Sequence, residues 1–260
     1  MNVFAWMVGL GASMGLLRVY ETVPRWQASR WLNAAITLLL AGLLGARIGY
    51  VSLHWPLYWV HPPQILFLWQ GGYNWEGALI GSLVALGLLS ALWHMSVLRL
   101  ADGLVPLLAP LTVAIWLGCW LSGVAYGVEV AHGTWWGLPA VDEAGRVGLH
   151  FPLQVLAALA SLSYLAWLEI RFPPRHKVLG VPSSLAGVGL GLIVLGFSFL
   201  RADPSPQFAG LRTDGWAAIL LVGVGLLDLI IAGLGLLKVT QRNPQILSQS
   251  IQPPVSNPPL

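Results

Sequence analysis

The chain has 260 residues, of which 57% are hydrophobic and 9% are charged, with a formal net charge of +3. A soluble domain carries roughly a quarter charged residues to clothe its surface for water, so a water-soluble fold is excluded. The few basic residues lie between apolar blocks and form no basic patch, which excludes nucleic acid as a partner. The single cysteine, Cys119, excludes an intramolecular disulfide and any multi-cysteine metal site.

A helix crosses a bilayer with about 20 mostly apolar residues. In chain order the sequence offers seven such stretches: Met1–Leu17, Trp31–Leu53, Gly77–Val97, Leu104–Leu121, Leu149–Leu168, Val178–Leu200 and Gly215–Leu237. The first has no basic residue before it and no small-residue cleavage pattern after it, so it reads as a membrane helix and not as a cleaved signal. The apolar piece Gln64–Trp69 follows Pro62–Pro63, is too short to cross, and is expected at the interface. The fold class is therefore an all-α integral membrane protein with seven transmembrane helices.

Orientation follows from the basic residues. One set of loops holds nine (Arg18, Arg25, Arg30, Arg99, Arg171, Arg175, Lys177, Lys238, Arg242) and the other holds three (Arg146, Arg201, Arg212). The richer set belongs in the cytoplasm, which puts the C-terminus inside and the N-terminus outside. Trp55, Trp59, Trp69, Trp75, Trp135 and Trp136 cluster near the expected interfaces. Residues 1–242 form the membrane domain. Residues 243–260, rich in Pro, Ser, Gln and Asn, read as a disordered cytoplasmic tail.

Ionisable groups at membrane depth need a partner or a purpose. Arg47 lies near the outer end of the second span, Glu76 opens the third, and Arg201 closes the sixth, so topology gathers all three near the outer leaflet. An arginine there can clamp a lipid phosphate; alternatively, Arg47 and Glu76 pair with one another or reach up to the headgroup layer. Asp102, opening the fourth span, suits the N-cap of that helix. Asp228 stands mid-span with no charged sequence neighbour, and with Gly223, Gly225, Gly233 and Gly235 it reads as a docking surface for a partner in a membrane complex. The six histidines form no metal-ligand pattern and read as solvated loop residues. No cofactor is expected.

The segments Gly45-Ala46-Arg47-Ile48-Gly49-Tyr50-Val51, Leu68-Trp69-Gln70-Gly71-Gly72 and Gly77-Ala78-Leu79-Ile80-Gly81 resemble the bacterial prolipoprotein diacylglyceryl transferases. The likeness continues, in order, through Leu100-Ala101-Asp102 with Pro106 and Pro110, Gly118-Cys119-Trp120-Leu121-Ser122-Gly123, Tyr126-Gly127, Pro152 with Gln154, and Leu200-Arg201-Ala202-Asp203. It implies a bacterial plasma (inner) membrane protein that moves diacylglyceryl from phosphatidylglycerol to the lipobox cysteine of a lipoprotein precursor. It also implies a base at Glu76 and a substrate-binding set of Arg47, Arg201, Asn74, Gln70 and Tyr126.

The same resemblance exposes departures. The family histidine falls on Glu76, its two arginines on Trp116 and Val194, its asparagine on Cys119, two acidic residues on Val124 and Ser198, and the first-helix tyrosine at or near Met7. A lost transition-state charge contact costs on the order of 3 kcal/mol. Two readings therefore stand: a working or altered transferase, or a catalytically silent relative serving as a lipid-binding or structural subunit of a membrane complex.

Overall fold

The computed structural model describes residues 3–68, 71–141, 146–173 and 179–242, with backbone alone described at 141 and from 234 onward. Eight α-helices form: α1 (Val3–Thr22), α2 (Ala28–Leu53), α3 (Trp55–Val60), α4 (Trp75–Leu92), α5 (Val97–Leu121), α6 (Leu153–Arg171), α7 (Val181–Ser198) and α8 (Thr213–Arg242). All but the short α3 are long and apolar enough to cross a membrane. The chain is a multi-pass membrane protein of seven spans.

Each expected span has its helix, with ends displaced by a few residues. α1 runs to Thr22, past the expected end at Leu17, and α5 begins at Val97 in place of Leu104. The piece expected at the interface contributes a 3-10 turn, Pro62–Leu66, preceded by α3. Two features depart from the all-helical expectation. β1 (Leu138–Val141) and β2 (Val147–His150) form an antiparallel hairpin, and β3 (Gln207–Phe208) and β4 (Leu211–Arg212) form a second around Ala209–Gly210. Both hairpins lie at the end of the bundle that carries Arg47, called here the site end.

The helices pair closely as α1 with α5, α2 with α4, and α7 with α8, while α6 joins α5 to α7. Lipid offers no hydrophobic drive between helices, so close packing of small residues must hold them together. The α2–α4 crossing shows how. A Cβ on Gly45 would stand 2.3 Å from the Gly77 carbonyl oxygen, and a Cβ on Gly77 would stand 2.2 Å from that of Gly45. The glycines of the two quoted segments thus bring backbones into contact and carry Arg47 and Glu76 to the site end.

Asp102 is a cap, but of a different helix from the one expected. It lies inside α5, and its carboxylate accepts from Gly180 N (2.6 Å), Ser183 N (3.0 Å) and Ser183 Oγ (2.7 Å). It therefore answers the open N–H groups of α7 from across the bundle, where the helix dipole favours a negative charge. Asp102→Ala removes all three bonds and is expected to cost about 1–2 kcal/mol, the usual loss of a cap. A fall in the thermal midpoint of the purified protein in detergent measures it, and Asp102→Asn should recover part of the loss.

Candidate functional site

The site end is organised by two arginines. Arg47 is only 4% exposed. Its Nε donates to Ile65 O (3.0 Å), its Nη1 to Gly71 O (2.6 Å) and Gly72 O (3.2 Å), and its Nη2 to Gln64 O and, at 3.5 Å, to Phe67 O. A guanidinium has five N–H donors, and here five backbone carbonyls meet them, with the Tyr58 ring 5.3 Å below. Gly71 and Gly72 have positive φ, and a Cβ on Gly72 would lie 2.8 Å from Arg47 Nη1. Through these bonds Arg47 gathers the connection between α3 and α4.

Asn74, expected on substrate, caps α4. Its side-chain oxygen accepts from Gly77 N at 3.1 Å, and its own backbone N–H donates to Ala46 O at 3.2 Å. Gln70 lies outside the described residues.

Arg201 sits just beyond α7 in a compact ion network that the sequence alone does not announce. It grips Asp203 with two bonds, Nε–Oδ1 at 2.8 Å and Nη2–Oδ2, and reaches Asp214 Oδ2 with Nη1 at 2.7 Å. Arg212 closes the ring, with Nε 3.2 Å from Asp214 Oδ1 and Nη1 2.6 Å from Asp203 O. Ser198 Oγ adds a bond to Asp214 Oδ1 at 3.0 Å. Two cations and two anions cancel. Burial alone would lower the affinity of Arg201 for its proton; the Asp203 hydrogen bond and the Asp203 and Asp214 charges outweigh it and raise the guanidinium above its ordinary range. Arg201 is thus committed to carboxylates, not to a lipid headgroup.

A segment from Tyr126 to Val130 ties this network to the β1–β2 hairpin. Val128 N donates to Leu200 O and Ala202 N to Tyr126 O on one side, while Phe151 N donates to Val128 O and Val130 N to Leu149 O on the other. Tyr126 is buried with its ring edge-on to His150, centroids 5.0 Å apart. His150 is 5% exposed, so its reading as a solvated loop residue is corrected; His54, His61, His94 and His132 are exposed as expected, and His176 lies outside the described residues.

Glu76 occupies different surroundings from both arginines. It makes no hydrogen bond or ion pair among the described residues, so the expected pairing with Arg47 is absent. It lines a cleft of about 240 Å³ between α4 and α8, walled by Leu79 and Ile80 on one side and Thr213, Trp216 and Leu220 on the other. α8 packs mainly on α7 and only lightly on α4, which leaves this cleft open sideways.

The positions of the missing chemistry are filled with apolar side chains. Trp116 belongs to a buried cluster with Ala125, Leu153, Ala157 and Ala158, and Val194, Phe197 and Cys119 pack against it. Asp228 lies one turn from Gly225, whose Cβ would meet Ser184 O at 2.7 Å. Residues three apart share a helix face, so Asp228 is turned toward the start of α7.

Fold and site together define a multi-span membrane protein with a sideways-opening cleft at the end that carries Arg47, Arg201 and Arg212. The family profile for prolipoprotein diacylglyceryl transferases matches residues 1–231, and the chain belongs to that family. It is 26% identical over 230 residues to "Phosphatidylglycerol--prolipoprotein diacylglyceryl transferase 2" of Clostridium perfringens, covering 86% of this chain and 88% of the relative. A phosphatidylglycerol–prolipoprotein diacylglyceryl transferase of Methylobacillus flagellatus is 30% identical, covering 84% and 83%, and one of Aromatoleum aromaticum is 28% identical, covering 78% of each chain.

Removing Arg201 would leave Asp203 and Asp214 facing each other beside Arg212 alone. Arg201→Ala is expected to destabilise the protein by about 3–5 kcal/mol, the cost of breaking a buried charge pair. Arg201→Lys should recover little, because an ammonium cannot make the forked contact. Thermal midpoints of both variants in detergent check this.

Proposed function

We infer that this chain lies in the plasma membrane of a bacterium with its site end outside, and binds phospholipid there without the transfer for which its relatives are named. In that transfer a cysteine thiol attacks the glyceryl carbon and glycerol phosphate leaves, so the reaction needs a thiolate and positive charge on the departing phosphate. One observation carries the reading: Trp116 and Val194, which stand where the resemblance has arginines, belong to one apolar cluster. A charge-binding cavity is filled by hydrocarbon. Arg47, Arg201 and Arg212 do not compensate, since carbonyls and carboxylates already engage them.

A second reading, an altered transferase with Glu76 as base, draws support from the Glu76 carboxylate in the α4–α8 cleft, unpaired among the described residues. The experiment that separates the two incubates membranes holding the full chain with phosphatidylglycerol and a lipobox peptide, and follows the peptide mass. No diacylglyceryl adduct above background is expected. An adduct that disappears in Glu76→Ala would establish the second reading.

The outward placement of the site end rests on the nine-to-three division of basic residues and has its own test. Trp135 is 92% exposed in the loop between α5 and α6. In a Cys119→Ser background, Trp135→Cys should react with a membrane-impermeant maleimide added to intact cells; labelling only after lysis would invert the topology. A partner subunit within the bilayer would meet α8 on the face of Gly223 and Gly233, which open onto empty space. Asp228 lies on the opposite face.

A further inference from the structure

We propose that the α4–α8 cleft selects an amine-headed lipid of the phosphatidylethanolamine type over an anionic one, through Glu76. The inference rests on the reading above that no phosphate is held at this end. Glu76 stands in the first turn of α4, beside Thr213 at the start of α8, so the carboxylate lies at the level where spans meet the headgroup layer. Below it the cleft walls are hydrocarbon: Leu79, Ile80, Trp216 and Leu220. A volume of about 240 Å³ is smaller than the roughly 300–1,000 Å³ of pockets that enclose a whole small molecule. It suits one acyl chain, with the second left in the bilayer.

Charge decides the headgroup. The four charges nearest the start of α8, Arg201, Arg212, Asp203 and Asp214, balance within their own ring. Arg47 is spent on the 64–72 backbone. Among the described residues, Glu76 is thus left without an ion pair at the head of an apolar cleft, faced only by the partial positive charge of the α4 N-terminus. Both headgroups place a phosphate monoanion near Glu76, and phosphatidylglycerol adds only neutral hydroxyls to it. An ammonium brings the missing positive charge and three donors for a charge-assisted hydrogen bond to the carboxylate. The ion pair forms at an interface of lowered dielectric, where it is screened less than in bulk water.

Trp216, in the cleft wall, supplies the reporter. The full chain in neutral detergent is titrated with phosphatidylethanolamine or phosphatidylglycerol brominated on the acyl chain, and quenching of tryptophan emission is read. The wild type is expected to be quenched at about threefold lower concentration of the amine lipid, the size of a partly exposed ion pair. The preference should vanish in the near-isosteric Glu76→Gln, reverse in Glu76→Lys, and fall away in Trp216→Phe. Equal quenching by both lipids in the wild type, a preference for phosphatidylglycerol, or a preference that survives Glu76→Gln or Trp216→Phe would overturn the proposal. The peptide-lipidation assay is scored separately, so an active transferase with no amine preference is distinguished from a silent protein with none.

Discussion

Every donor of a guanidinium buried at the edge of a bilayer must find an acceptor, because little water is there to supply one. Arg47 meets that demand by taking five backbone carbonyls from the connection between α3 and α4. The connection in turn is drawn together by it: those carbonyls are outside regular α-helix, and Arg47 joins residues 64–67 to residues 71–72. Gly71 and Gly72 let the chain turn tightly enough to present them, and the Gly45–Gly77 contact sets α4 at the right distance from α2. Arg201 solves the same problem with carboxylates. The two solutions build a stable end to the bundle and, in doing so, consume its positive charge.

On the proposed reading, scaffold and chemistry have parted in this chain. The residues that shape the fold are those retained from the family: the Gly45–Gly49 and Gly77–Gly81 segments, Arg47, the Gly71–Gly72 turn, Asp102, Gln154 and Arg201. Each has a structural partner here, Gln154 included, whose Nε2 donates to Val124 O at 3.0 Å. On that reading, the positions to which the resemblance assigns the family's arginines carry tryptophan and valine, packed in an apolar cluster. A fold carries its function in its site and can outlive it. What persists at the membrane-facing side is a cleft that still fits a lipid chain, with a carboxylate at its head.

Much of the architecture is legible in the sequence because it rests on a local property, the length of apolar runs. All seven spans appear with ends off by a few residues, which is where capping and tertiary contacts decide. The short α3 and the two hairpins are not legible: six or fewer residues in each element leave no periodic signal. The candidate site is less legible for a different reason. Arg47, Asn74 and Arg201 share one end of the bundle, but a hydrogen-bond partner is a tertiary fact. Nothing near Arg47 in sequence says that carbonyls 17 to 25 residues away will take its donors. Asp102 announces a cap without saying that the helix lies 78 residues on. His150 looks like a loop histidine because its burial comes from Tyr126 and the strand pairing around it. Asp203 and Asp214 carry the one usable signal, two acids alternating with two arginines within a short connection.

On the proposed reading, this end engages Arg47 and Arg201 internally and leaves neither for a departing phosphate, and an experimental structure of the full chain in a phosphatidylglycerol-containing bilayer tests that claim most directly. The expected result is Arg201 joined to Asp203 and Asp214, Arg47 closed upon the 64–72 carbonyls, and Trp116 packed with Val194 in a dry cluster. A lipid phosphate seated on Arg201 or Arg47, with Trp116 swung out to open a polar cavity, would contradict it.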